Sequence, residues 1–167
     1  MTDPQPSSRL PVGVFAGRAD FQQLIRDAIQ AAADEGWREM IWFDLTFDEW
    51  PLGERSVEAS LQAWSKTGRK LTLVAKRFDT VIAKHHRFVQ WRKQWSHIIE
   101  ARAVSSASEE EFPSMLWSPG WVLHRLQPTW SKGITSTDPA RRLQTRELMA
   151  DWLSKSSPAF AATTLGL

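Results

Sequence analysis

The stretch VGVFAGRADFQQLIRDAIQAA, Val12 to Ala32, decides the reading of the fold. It opens with a short apolar run, Val12 to Ala16, closed by Gly17. It then sets Phe21, Leu24, Ile25, Ala28, Ile29 and Ala32 at steps of three and four. A period of 3.6 residues gathers those side chains on one helical face, so the stretch reads as a strand feeding an amphipathic helix. Asp20 with Gln23 three residues later has the form of a capping box, Arg18 is the competing boundary, and Gly36 is placed to end the helix.

Working outward, Met40 to Phe43 is a continuous apolar run, as expected of a strand covered on both faces. A second helix is expected from about Arg55 to Lys66, with Val57, Leu61 and Trp64 on one stripe and Gly68 as its stop, followed by a strand from Leu71 to Ala75. Strand, helix, strand, helix, strand with short connections predicts right-handed crossovers and an α/β domain with a mainly parallel sheet and helices on both faces. A third helical stretch from Thr80 to about Gln94 leads to HIIEARAV and PSMLWSPGWVLHR, which read between Ile98 and Arg125 as the two arms of a β-hairpin around Glu109, Glu110 and Glu111. Asp138-Pro139 is a helix start with Pro in the first turn, and Leu143, Met149, Trp152 and Leu153 make that C-terminal helix partly apolar.

At 167 residues the chain suits one domain able to bury a core without staples. The expected layout is a short disordered leader over 1–11, a single domain over 12–157, and an apolar tail over 158–167 that packs on the domain or on a partner. With no cysteine, a disulfide framework, a thiolate zinc site and a cysteine nucleophile are all excluded. MTDPQPSSRLP lacks the charge and apolar run of a signal peptide, and no later stretch reaches membrane-spanning length, so the expectation is a cytoplasmic protein without membrane insertion. Ten Trp with no Tyr fit packed cores and interfaces alike. The net charge of +2 divides unevenly: −5 over residues 1–50, +6 over 51–100 and +1 over 101–167. That asymmetry either draws an anionic partner to the middle third or is consumed by pairing between the two charged segments.

The order of elements, with GRADFQQLIRDAIQAA, FDLTFDEWPLG and LQAWSKTGRKLTLVA, resembles one half of a phospholipase D-like fold from about Val12 to Arg125. Active members of that superfamily carry a His, a Lys two residues on and an Asp five after that, usually followed by Gly. The resemblance implies that the His attacks phosphorus and the Lys binds phosphate. With Ser118-Pro119-Gly120 setting the register, Phe112 stands for the His, Ser114 for the Lys and Pro119 for the Asp. No other His rescues the pattern: His85 is followed by Arg87 and then Arg92, His86 by Phe88, His97 by Ile99 and His124 by Leu126. The resemblance thus implies the scaffold without the reaction.

Other chemistry finds little purchase. There is no nucleophile elbow, no P-loop and no dinucleotide-binding glycine pattern, and no cofactor is expected. Ligands of a parallel sheet bind beyond the carboxyl ends of its strands, which here bear Arg18, then Asp44, Asp48 and Glu49, then Lys76 and Arg77. Those acids are either weak ligands for a hard cation or caps of a turn before Trp50-Pro51, paired with Arg18 or Arg77. Between Lys84 and His97, Phe88, Trp91 and Trp95 share a helical stripe flanked by Arg87 and Arg92, a pattern of a packed amphipathic helix or of a surface that stacks bases and binds phosphate. Arg18, Lys76, Arg77, Arg87 and Arg92 are the candidate anion-binding residues. The expected function is a non-catalytic phospholipase D-like module with a protein or other anionic partner, as monomer or homodimer. The alternatives are a metal-dependent hydrolase of phosphorylated or nucleic-acid substrates through Asp44 and Asp48, and nucleic-acid binding through the basic third helix.

Overall fold

A computed structural model describes residues 10–162. The elements run β1 (Gly13–Phe15), α1 (Arg18–Glu35), β2 (Glu39–Phe43), α2 (Arg55–Ser65), β3 (Lys70–Ala75), α3 (Asp79–Lys84), α4 (His86–Gln94), β4 (Ile99–Ala103), β5 (Met115–Trp117), β6 (Val122–Gln127), β7 (Lys132–Ser136), α5 (Pro139–Ser154) and β8 (Ser157–Pro158). The strands form one mixed sheet in the order β1-β7-β6-β5-β2-β3-β4-β8.

This is an α/β domain, but the sheet is mostly antiparallel, not mainly parallel. Among the described residues only β2 with β3 and β3 with β4 pair in parallel; β1 with β7, β7 with β6, β6 with β5, β5 with β2 and β4 with β8 are antiparallel. β1 does run in the same direction as β2, but the meander β5-β6-β7 fills the space between them. Periodicity identifies a strand and a crossover helix; it carries no information on which strands lie between the two ends. The expected hairpin is corrected in the same way. Its first arm, β4, lies on the far side of β3 and β2, and β5 turns back on β6 instead, through Ser118, whose hydroxyl donates to the Trp121 carbonyl at 2.7 Å.

Alternation along β2 shows how the layers form. Met40 and Trp42 join the large core under α1, α2 and α4, whereas Ile41 and Phe43 join a smaller core under α5 with Val74, Met115 and Met149. All four are essentially inaccessible, as a strand covered on both faces requires. α1 buries the expected stripe and ends at Gly36 in the left-handed conformation, φ 67°, but its cap residue is Gly17 and the Asp20–Gln23 box does not form. The third helical stretch breaks at His85 into α3 and α4, and the His85 ring turns inward there to bond the Phe47 carbonyl at 2.8 Å. Asp138 caps α5 from its side chain onto the Ala140 N–H at 3.2 Å, with Pro139 in the first turn. Most of the leader expected over 1–11, and Leu165 and Leu167 of the tail, lie outside the described residues; Phe160 stacks on Phe78 with centroids 5.2 Å apart.

Candidate functional site

A cavity of about 310 Å³ opens at the carboxyl end of β2. Its walls come from the start of α1 (Arg18), the loop after β2 (Asp44 to Glu49), the segment leading into β5 (Phe112 and Ser114) and the bulged strand β6 (Arg125). A neighbouring cavity of about 500 Å³ shares Phe112 and Arg125 and continues past His124 to Leu148 and Trp152. Phe112 and Ser114 face this space together because β5 runs antiparallel to β2, with Met115 opposite Phe43.

Arg125 is the centre of the first cavity. Its side chain is 3% exposed, and it donates from Nη2 to Asp44 Oδ1 at 2.9 Å, from Nη1 to Glu49 Oε1 at 2.9 Å and to Ser131 Oγ at 3.1 Å, and from Nε to Ser114 Oγ at 3.1 Å. Its guanidinium lies over the Phe21 ring, 4.0 Å from the centroid. Arg125 lies at the bulge between His124 and Gln127, and Gly133 on β7 lets the two strands approach closely there: a Cβ on it would run into the His124 carbonyl, the Arg125 backbone and the Phe15 ring. A buried guanidinium requires charge compensation, and two carboxylates supply it.

The acids therefore have structural occupations. Asp44 Oδ2 accepts the backbone N–H groups of Thr46 at 3.2 Å and Phe47 at 2.8 Å, closing the turn before Trp50-Pro51. Phe47 sits at φ 60°, a conformation that the Asp44 cap and the His85 bond hold in place. The partner of Asp44 is Arg125, where the sequence offered Arg18 or Arg77; Arg18 lies 3.8 Å from Glu49. Asp48 pairs with Lys84. Among the described residues no group of three or more His, Asp or Glu side chains converges in a way that could hold a metal ion.

The five candidate cations do not form one anion site. Arg18 is 70% exposed at the mouth of the cavity. Lys76 donates to the Ala107 carbonyl at 2.5 Å, Arg77 pairs with Glu109 at 3.1 Å, and Arg87 donates to the Gly53 carbonyl at 3.0 Å. Arg92 does not flank the aromatic stripe at the surface: it is buried, donates from Nη2 to the Phe160 carbonyl at 3.0 Å, and leaves Nε and Nη1 without partners among the described residues. Burial pushes its pKa down. On the same helix Phe88 and Trp91 enter the core, and Trp95, just past its end, is half-buried, so the stripe is mainly a packing surface. Arg125, which sequence reasoning treated only as the end of a hairpin, is the residue it missed; an Arg inside the apolar run WVLHRL was the available signal.

Cations without an internal partner gather at the opposite end of the sheet. Arg38 precedes β2, Lys66 closes α2, Arg69 precedes β3 and Lys93 lies in the last turn of α4; all are exposed, and among the described residues none is in an ion pair. The N–H groups of Arg69 and Lys70 both donate to the Arg38 carbonyl, at 2.7 and 3.1 Å, which fixes these residues side by side. Gln62 bonds both Gln94 and the Trp95 indole, drawing the ends of α2 and α4 together, and Trp95 lies against His97 with ring centroids 5.8 Å apart. Two acids at this end are already engaged: Glu39 faces Arg146, and Glu100 faces Lys70 and Arg102. Burial works against the charge on Glu100, but those two cations outweigh it and hold its carboxyl below the usual range. Asp34 and Glu35, in the last turn of α1, moderate the positive excess.

No protein-family model matches this chain, and no curated protein matches it by sequence. Its structure is similar to that of TrmBL2, an archaeal chromatin protein described as showing a novel mode of DNA binding, with a TM-score of 0.64 and 13% sequence identity. The match covers 89% of this chain and 54% of TrmBL2, so the chain spans about half the length of that protein. At this identity the likeness is one of fold, and among the described residues no helix is long and apolar enough to cross a membrane.

Proposed function

We propose that this chain is a non-catalytic module that binds nucleic acid through the end of the sheet where β2 and β3 begin. The observation that carries the reading is the set Arg38, Lys66, Arg69 and Lys93, exposed and without an ion pair among the described residues, at the same end of the sheet as the Trp95–His97 ring pair. Cations bind phosphates and release counterions, while a partly exposed aromatic supplies a face on which a base can stack. The fold likeness to a DNA-binding chromatin protein supports the same partner class.

The cavity at the other end supports the non-catalytic half of the proposal. In the phospholipase D-like reading, Phe112 and Ser114 stand where a nucleophile and a phosphate anchor belong, and both line that cavity. Arg125, the buried cation there, is already bound by Asp44 and Glu49. Purified protein is expected to be inert toward bis(p-nitrophenyl) phosphate with and without divalent metal.

Binding is tested by fluorescence anisotropy with a mixed-sequence duplex pool across a salt series. Four phosphate contacts give a slope of log K against log salt of about −3.6, so affinity falls on the order of 100-fold between about 50 and 200 mM salt. Lys66→Glu with Arg69→Glu should weaken binding and flatten the slope by roughly two. Binding that is insensitive to salt, or equal in parent and variant, refutes the proposal.

A further inference from the structure

The free edge of β1 is a second surface, separate from the basic end of the sheet. Among the described residues β1 is the terminal strand and pairs only with β7. Phe15 turns toward α1 and stacks on Phe21 with centroids 6.2 Å apart, so by strand alternation Val12 and Val14 point to the other face. Among the described residues nothing covers them there: Val12 is 60% and Val14 85% exposed. Sheet edges are ordinarily guarded by a charge, a bulge or a covering element, because unpaired backbone groups recruit another strand. Among the described residues this one is left open, and it carries two valines.

Beside the edge lies a cavity of about 290 Å³ between β1 and α1, floored by Phe15 and Leu24 and rimmed by Asp20, Gln23 and Asp27. The three rim residues share one stripe of α1. Asp20 and Asp27 have no ion-pair partner among the described residues; Asp27 accepts the Gln23 amide at 2.9 Å, and Arg26, its neighbour in the chain, is bound by Glu54. The edge is held rigid from behind, since the Pro11 carbonyl accepts from Thr135 Oγ1 at 2.7 Å and from the Trp121 indole at 3.0 Å.

We infer that the β1 edge takes an extended peptide as a ninth strand, one whose alternate residues are Lys or Arg on the side facing α1 and β-branched apolar residues on the other. Strand addition satisfies the open backbone groups, the basic side chains meet Asp20 and Asp27, and the apolar ones continue the Val12–Val14 strip. The spacings agree. Asp20 and Asp27 lie about 10.5 Å apart along the helix axis, and residues two and four apart on a strand are separated by about 7 and 13 Å, a difference that flexible lysines absorb. A second copy of this chain is the poorer occupant, because pairing β1 with β1 across a two-fold axis would bring two sets of unpaired carboxylates together with no cation between them.

The test is titration of ¹⁵N-labelled protein with the blocked peptide Lys-Val-Lys-Val-Lys, followed by amide shifts at low salt. Saturable shifts confined to residues 12–16 and 20–27 are expected. Val14→Lys should abolish them without loss of fold, and Asp20→Lys with Asp27→Lys should weaken binding roughly tenfold. The Glu-Val-Glu-Val-Glu peptide should give none. Absence of shifts at millimolar peptide, equal response of the variants, or equal response to the acidic peptide overturns the inference. Shifts at β1 that grow with protein concentration without peptide would also overturn it, in favour of self-association. Failure here leaves duplex binding untouched, since the two surfaces share no residue.

Discussion

Replacing Arg125 with Met tests whether the central cation of the cavity is structural. The substitution keeps most of the aliphatic volume over Phe21 but strips Asp44 of its counter-ion at a site where the Asp44 side chain is only 6% exposed. Removing one partner of a buried ion pair costs about 3–5 kcal/mol, because the remaining charge is left uncompensated in a poorly solvated place. Loss of the bonds to Ser114 and Ser131 adds to this, while Glu49, at 30% exposure, can recover some solvation. In a domain of this size about 1 kcal/mol moves Tm by roughly 2–4 °C, so a fall of at least about 6 °C is expected. Asp44→Asn keeps an acceptor for the Thr46 and Phe47 N–H groups and should cost about 1–3 kcal/mol. The double variant is the decisive arm: once Asp44 is neutral, the loss of Arg125 no longer strands a charge, so the combined cost should fall below the sum of the singles by about 1–3 kcal/mol. Urea unfolding followed by Trp fluorescence measures all three. A loss below about 1 kcal/mol for Arg125→Met, or additivity within about 0.3 kcal/mol, would refute the structural role.

Further outcomes follow from the core and the titratable groups. Trp42, fully buried against Trp50 and Phe88, should lose about 3–5 kcal/mol on Trp42→Ala in the same urea assay, and unchanged stability would remove it from the core. Arg92→Met should be neutral or stabilising, since Nε and Nη1 lack partners among the described residues, whereas Arg92→Glu should destabilise by setting a carboxylate against the Phe160 carbonyl; a stable Arg92→Glu protein would contradict the buried placement. Burial holds the His85 pKa below its ordinary 6.5, and burial together with Arg141 does the same for His124. The unfolded chain therefore binds more protons than the folded one below that pH, and stability should fall as pH drops from 7.5 to 5, by up to about 1.4 kcal/mol per pH unit for each His. Urea midpoints that stay flat or rise over this range would rule out the buried neutral imidazoles, and His85→Gln should flatten the slope.

The sequence by itself determined the elements whose signal is local. The 3.6-residue stripe of α1, the unbroken run Met40 to Phe43, the left-handed stop at Gly36 and the Asp138 cap each follow from interactions within a few residues, and each stands in the structure as read. The turn-closing role of Asp44 was one of two readings open, because an Asx turn needs only N–H groups two and three residues on. Tertiary structure alone decided the rest. The insertion of β5-β6-β7 between β1 and β2 depends on pairings over a hundred residues apart, such as Gly13 with Thr135, which no window of periodicity contains. Arg92 reads as the wet side of a helix, but the tail packs over it and desolvates it. Arg125 reads as the end of a strand, and a bulge, a glycine on β7 and two carboxylates from a distant loop make it the hub of the cavity. Charge along the sequence reports which residues are ionic; only the fold sets which of them neutralise each other, because ion pairing acts through space over a few ångströms and not along the chain.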